Sequence, residues 1–348
     1  MDRVNIVTLQ GRWNYGNRLQ NYATSKIYES LGFEVKSLIF KDTRRRIKAM
    51  IKRACGMSRN DPEKLMSPDR RAAFERFDEL MDFECVSSFE RIGGDGAWYS
   101  VGSDQVWSTA YAPRLDRWYF LDAVPKEKRI ALAPSIGLDL LDTEQMKRLA
   151  QGVSGFESLS IREGRGAEII KEASGRCATV ICDPTIALPR EEWAKVSDDS
   201  LTPMHEYVFT YILGDGGEDK EAVLSEVTEG GMIRVVSLSD HQQPGEPPAG
   251  PAEFISLIAS ARHVVTDSYH AAVFATIFQT PLTIIRRSGG LSMFSRLESL
   301  AQTLGIGQKV YGTSEFDLNL AGDFEGVSDA IVHERAKFMA YLEACLNA

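Results

Sequence analysis

The stretch VNIVTLQGRWNYGNRLQNYATSKIYESLGFEVKSLIF, residues 4–40, decides the fold class. A short run rich in β-branched residues is followed by a polar, glycine-bearing loop. A helical segment then ends at Gly32, where helices commonly stop. A second β-rich run, FEVKSLIF, closes the unit. Strand, loop, helix and strand within about 40 residues make a βαβ unit, the building block of doubly wound parallel sheets.

The rhythm repeats along the 348 residues. WYSVGSDQVWS, RIALAPSIG, SLSIREG and ATVICDPTIAL read as further short strands ending in polar loops. The polar, proline-containing SDDSLTPMH then separates them from a second series that begins with YVFTYIL. The expected fold is α/β, with two Rossmann-like domains facing a cleft. Residues 1–195 form the first and residues 204–325 the second, and a C-terminal helix in 326–348 crosses back onto the first. Ligands of open α/β sheets bind beyond the carboxyl ends of the strands, so the motifs in those loops are the candidate site.

Composition narrows the function. With 43% hydrophobic and 26% charged residues the chain supports a sizeable core. Its formal charge of −9 disfavours nucleic acid, which is bound by basic surfaces. The five cysteines, Cys55, Cys85, Cys177, Cys182 and Cys345, include no CxxC pair, so neither a disulfide framework nor a zinc site is expected. No signal-peptide layout and no apolar run of membrane-spanning length is found, and the expected location is the cytoplasm. The basic stretch KDTRRRIKAMIKRACG is either a solvated helix or, through residues 41–53, a contact to the inner face of the membrane.

Chemistry concentrates in VVTDSYHAAVFATIFQTP, residues 264–281. Asp267 or Ser268 is a good N-cap, which puts His270 in the first turn of a helix. The N–H groups there lack intrahelical partners and the macrodipole is positive, so an anion is favoured. His270 either moves a proton there or merely packs, and the residues alone leave both readings open. NYGNRLQNYA offers Asn14, Tyr15, Gly16, Asn17, Arg18 and Asn21 at a strand-to-helix junction, and VGSDQVW offers Ser103, Asp104 and Gln105 after a strand. In SIREGRG, Arg162 either grips an anion or forms an internal ion pair with Glu163 beside it. The GDGG after a strand lacks the lysine of a phosphate-binding loop and reads as a turn.

The ordered set NYGNRLQNYA, VGSDQVW, KEKRIALAPSIG, SIREGRGAEII, DPTIAL, VVTDSYHAAVFATIFQTP and SRLESLAQTLGI resembles the polysaccharide pyruvyl transferase family, from about residue 4 to 307. The resemblance implies a GT-B-like pair of domains, phosphoenolpyruvate as co-substrate and a saccharide acceptor, lipid-linked or not. The implied product is a pyruvate ketal on a surface or capsular glycan, and no metal or redox cofactor is implied. It places His270 and Arg162 in the catalytic set, with Arg162 also on the donor. Ser268 and Tyr269 would face the donor; Arg286, Arg287 and Arg296 either add contacts or satisfy surface carboxylates. The acceptor side falls to the NYGNRLQNYA and VGSDQVW residues with Ser135. The sequence departs from the usual pattern at Ala271, where many relatives carry glycine, and at Ile136, where an aromatic is common. Two rival readings remain: a GT-B glycosyltransferase with a nucleotide-sugar donor, and a non-catalytic protein of glycan assembly.

Overall fold

The computed structural model describes all residues except 1, 12, 41–65, 90–91, 109–115, 215, 288–293 and 348. The basic stretch with residues 41–53 therefore lies outside the described residues, as does Asp215 of the GDGG turn. Strands β1 (Arg3–Val7), β2 (Glu34–Phe40), β3 (Phe83–Val86), β4 (Trp98–Val101) and β5 (Arg129–Ala131) form a parallel sheet in the order β3-β2-β1-β4-β5. A short parallel pair, β6 (Ser160–Ile161) and β7 (Thr179–Val180), continues its edge, where the Arg162 N–H donates to the Pro134 carbonyl. Strands β8 (Tyr207–Tyr211), β9 (Arg234–Leu238), β10 (His263–Thr266) and β11 (Leu282–Ile284) form a second parallel sheet in the order β11-β10-β8-β9. This is the α/β fold expected from the repeated βα rhythm, in the GT-B-like arrangement that the family resemblance implied. Every residue of β8 and β10 is buried, because helices cover both faces of a parallel sheet.

Each sheet has one point where strand order reverses. In the first it lies between β1 and β4, and in the second between β8 and β10. The loops after these strands diverge and leave a crevice. Helix α1 (Tyr15–Ser30) starts at the first crevice with Asn14 as N-cap, whose side chain accepts from the Asn17 N–H. It ends before Gly32, whose φ of +87° meets the left-handed geometry that terminates helices.

Each sheet has a cluster of its own, and a third core is common to both. A continuous hydrophobic cluster runs from Val4 and Ile6 of β1 through α1 to Phe209 and Tyr211 of β8. Tyr15 is the centre of this junction. Its ring stacks on Phe254 at 4.5 Å and meets Tyr211 edge-on, and its hydroxyl donates to the Ala249 carbonyl at 2.8 Å. Helix α2 (Pro68–Asp78) locks against the same region. Arg70 lies over Tyr15 and donates to the Ser239 carbonyl, and Gly250 is held so close to Ala73 that a β-carbon there would sit 2.7 Å from its backbone. The helix α3 (Pro184–Ala187) packs on α1, and the long C-terminal helix α4 (Val327–Leu346) packs on α3, where Arg335 donates to the Ile186 and Leu188 carbonyls.

Phe254→Ala is expected to cost about 3–5 kcal/mol, as deletion of a fully buried aromatic does. Tyr15→Phe keeps the stack, loses one hydroxyl donor and should cost about 1 kcal/mol. Denaturant unfolding of the two variants checks both the size and the order.

Candidate functional site

The loops at both reversal points open into one cleft of about 600 Å³, within the usual range of small-molecule sites. On the first-domain wall, Asn17 connects the loops. Its Oδ1 accepts from the Gly11 N–H at 2.9 Å, and its Nδ2 donates to Asp104 in the loop after β4. On the opposite wall Asp267 does the same work. It accepts from the Leu213 and Gly214 N–H groups at 2.7 and 2.8 Å, and from Arg287 Nε at 3.2 Å. Asp267 thus fixes Leu213 and Gly214 after β8, and Gly217 already opens the next helix.

His270 stands in the first turn of the helix Tyr269–Phe278, where Ser268 is the N-cap but makes no side-chain cap. The first-turn N–H groups therefore have no side-chain acceptor from the cap residue. The imidazole lies across Gly16 at the start of α1, and a β-carbon at Gly16 would sit 2.1 Å from its Nδ1. Two helix N-termini, one from each domain, thus meet at His270. Burial is the main influence on the ring and pushes its pKa below the usual histidine value. The carboxylates of Asp183 and Asp104 oppose this, and Arg162 and Arg296 add to it.

The structure divides the residues singled out in the sequence. Asn14, Gly16, Asn17, Asp104, Gln105, Ser268, Tyr269, His270 and Arg296 line the cleft, with Arg287. Tyr15 points instead into the interdomain core. Arg18 pairs with Asp78, and Asn21 accepts from the Ser37 hydroxyl, both away from the cleft lining. Ser135 donates to Glu163, and Arg286 lies half-exposed beside Glu298 at 3.8 Å. Ser103 is fully buried behind the cleft wall, where its N–H donates to Gln20 and its hydroxyl donates toward Asp183.

Arg162 is also absent from the cleft lining. Its side chain is 1% exposed and donates from Nη1 to Asp183 Oδ2 at 2.7 Å, with Asp104 at 3.7 Å and the Tyr269 ring 4.2 Å away. The internal partner is Asp183, whereas the neighbouring Glu163 accepts from Ser135, Ile136 and Gly137. A guanidinium in the interior needs a counter-charge, and the fully buried Asp183 supplies it. Asp183 also accepts from Ser103 and, at Oδ1, from the N–H and hydroxyl of Thr185. It lies 3.9 Å from His270 Nε2. Sequence reasoning did not single Asp183 out. Its one signal was the Asp-Pro that opens α3, which reads equally as an ordinary cap. The cleft-lining Thr8, Gln10 and Asp240 were likewise missed.

Among the described residues no group of three or more His, Cys, Asp or Glu side chains is placed to hold a metal ion, and no helix is long and apolar enough to cross a membrane. The cleft instead offers cations and N–H donors on the second-domain wall, facing amides and a carboxylate on the first.

A family model described as polysaccharide pyruvyl transferase matches residues 14–289. No curated protein matches the chain. Among solved structures, the UDP-GlcNAc 2-epimerase of Neisseria meningitidis is similar at 10% identity and a TM-score of 0.44, over 97% of this chain and 100% of that one. A UDP-glucosyltransferase of Polygonum tinctorium is similar at 12% identity and a TM-score of 0.41, over 99% and 94%.

Burial raises the Asp183 pKa, but Arg162, His270 and the hydrogen bonds outweigh it and hold the carboxyl down at about 2. A folded-state value below the unfolded one of about 4 means that this stabilisation, about 2 kcal/mol, is complete above pH ~4 and is lost as pH falls toward 2. Acid unfolding checks this: Arg162→Met/Asp183→Leu should lack that increment of pH dependence.

Proposed function

The chain belongs to the polysaccharide pyruvyl transferase family, and from that premise we propose that it transfers a pyruvyl group from phosphoenolpyruvate to two hydroxyls of a saccharide. The observation that carries the proposal is His270 at an uncapped helix start, in one cleft with Arg287 and Arg296. Phosphoenolpyruvate carries a phosphate and a carboxylate, and this wall supplies guanidinium groups and N–H donors suited to both. Burial and then Arg162 depress the basicity of Arg296, and a bound anion would offset both effects.

The reaction then runs as follows. The His270 imidazolium gives its Nδ1 proton to the methylene carbon of the donor, whose C=C electron pair forms the new C–H bond. The neighbouring carbon gains oxocarbenium character and is attacked by the first sugar hydroxyl, whose proton restores the imidazolium. The C–O bond to phosphate breaks, the second hydroxyl adds to the same carbon, and its proton leaves with phosphate. Asn14, Asn17, Asp104 and Gln105 on the opposite wall would orient the acceptor. The acceptor is part of a bacterial surface or capsular glycan or its precursor, and the work is done in the cytoplasm without a metal or redox cofactor.

Calorimetric titration of phosphoenolpyruvate, with a nucleoside diphosphate as control, tests the donor. Binding is expected for phosphoenolpyruvate alone, weakened at least ~10-fold in Arg296→Ala or Arg287→Ala, as loss of a charge-assisted contact requires. Nucleotide binding with no phosphoenolpyruvate signal would replace the proposal with a nucleotide-sugar transferase. Binding without turnover on any glycan acceptor would favour a non-catalytic role.

The lowered pKa of His270 sets the pH dependence. A proton donor works only when protonated, so kcat/KM should fall as pH rises through a value below about 6.5. Negative charge on the bound donor raises the imidazole pKa, so the limb in kcat should lie at higher pH. His270→Gln should remain folded and lose both limbs with turnover.

A further inference from the structure

Among the buried polar atoms without a hydrogen-bond partner is His270 Nε2. Its other ring nitrogen lies over Gly16 at the cleft. A buried ring nitrogen without a partner is costly unless the acceptor it faces closes on it. The acceptor it faces is Asp183 Oδ2 at 3.9 Å, beyond the roughly 2.6–3.2 Å of a made hydrogen bond. Catalytic hydrogen bonds often stand this long before substrate is bound and tighten in the complex. The carboxylate itself cannot wander. Ser103, Arg162 and Thr185 hold it from the loop after β4, the end of β6 and the start of α3.

We propose that Asp183 is the positioning residue of His270, fixing the ring with Nε2–H toward its carboxylate and Nδ1 toward the cleft, while Arg162 fixes the carboxylate. This deepens the phosphoenolpyruvate reading, and its kinetic arm rests on that reading. The proton that moves is the one on Nδ1. The Nε2 proton stays in place throughout, and Asp183 remains ionised. Arg162 thereby serves the reaction from behind the cleft rather than by touching the donor.

The charged groups around the ring make the expected signs definite. Asp183 and Asp104 favour the imidazolium, Arg162 and Arg296 oppose it, and α1 meets the ring at uncharged Gly16. Asp183→Asn is nearly isosteric and, with its oxygen at the Oδ1 position, keeps the acceptor for Thr185. It also puts an amide where Ser103 and Arg162 found Oδ2, and it removes the charge nearest the ring, so the His270 titration should move to lower pH. The kcat should fall by about 100-fold or more, the scale of a misplaced proton donor, with KM for phosphoenolpyruvate within threefold.

The test begins with the wild type and needs no substrate. Long-range ¹H–¹⁵N NMR of the ring, assigned with His270→Gln, reads the tautomer above its pKa. A proton on Nε2 is expected, and a proton on Nδ1 overturns the proposal. Asp183→Asn also strands the Arg162 charge, so the second variant is Arg162→Met/Asp183→Asn, which has neither charge. If Asp183 serves only to neutralise Arg162, that variant regains wild-type kcat and the proposal fails. If it positions His270, kcat stays low in a protein that melts near the wild-type temperature. A wild type with the expected tautomer and no turnover of phosphoenolpyruvate would leave the pairing standing and remove the proposed donor instead.

Discussion

The buried carboxylate of Asp183 is the constraint around which the site is arranged. It draws a hydroxyl from the loop after β4, a guanidinium from the end of β6 and the first turn of α3 to one point. An ionised carboxyl without water is tolerated only when its charge is matched and its lone pairs are used, and here both conditions are met. The consequence reaches the second domain, because His270 packs against this point on one side and against Gly16 on the other. The position of the imidazole is thus set by first-domain residues although its own helix belongs to the second sheet.

That arrangement explains why the domains share a core. A ring shared between two domains keeps its place only if the domains do not rock freely. The aromatic junction of Tyr15, Tyr211 and Phe254, together with Arg70 from α2, restrains such rocking close to the cleft. The adjacent residues Tyr15 and Gly16 divide the labour. One anchors the junction, and the other leaves room for His270. On a helix, successive side chains point about 100° apart, so neighbours in sequence serve different surfaces.

This division also marks the limit of what the sequence disclosed. The parallel strands were legible because strands covered on both faces are continuous apolar runs, as in YVFTYIL and HVVTD. The end of α1 was legible from Gly32, but its start was not: GRWNYGN read as loop up to Arg18, whereas Asn14 caps a helix that begins at Tyr15. His270 was legible as a helix-start histidine because capping is local chemistry. The roles of Tyr15, Arg18, Asn21 and Ser135 were not, because polarity in a loop does not say which way a side chain turns. For Arg162 the internal partner expected was the adjacent Glu163, but the one found, Asp183, lies 21 residues on in the chain and is brought there only by tertiary folding.

Seen from both walls, the cleft uses one device twice. Where each sheet reverses its strand order, a polar side chain ties the two diverging loops: Asn17 to Asp104 in the first domain, and Asp267 to Leu213 and Gly214 in the second. Open loops at such points would lose the geometry that proton transfer demands, since misplacement by about 1 Å can cost 100-fold in rate. The two ties differ in what they leave for a ligand. On the first wall the tie presents amides and a carboxylate, groups that suit hydroxyls. On the second, Asp267 draws Arg287 to the cleft edge near Arg296 and the helix start, groups that suit anions. In the proposed reaction an anionic donor and a polyhydroxyl acceptor would approach opposite walls, with the histidine between them 3.9 Å from a buried carboxylate outside the cleft lining.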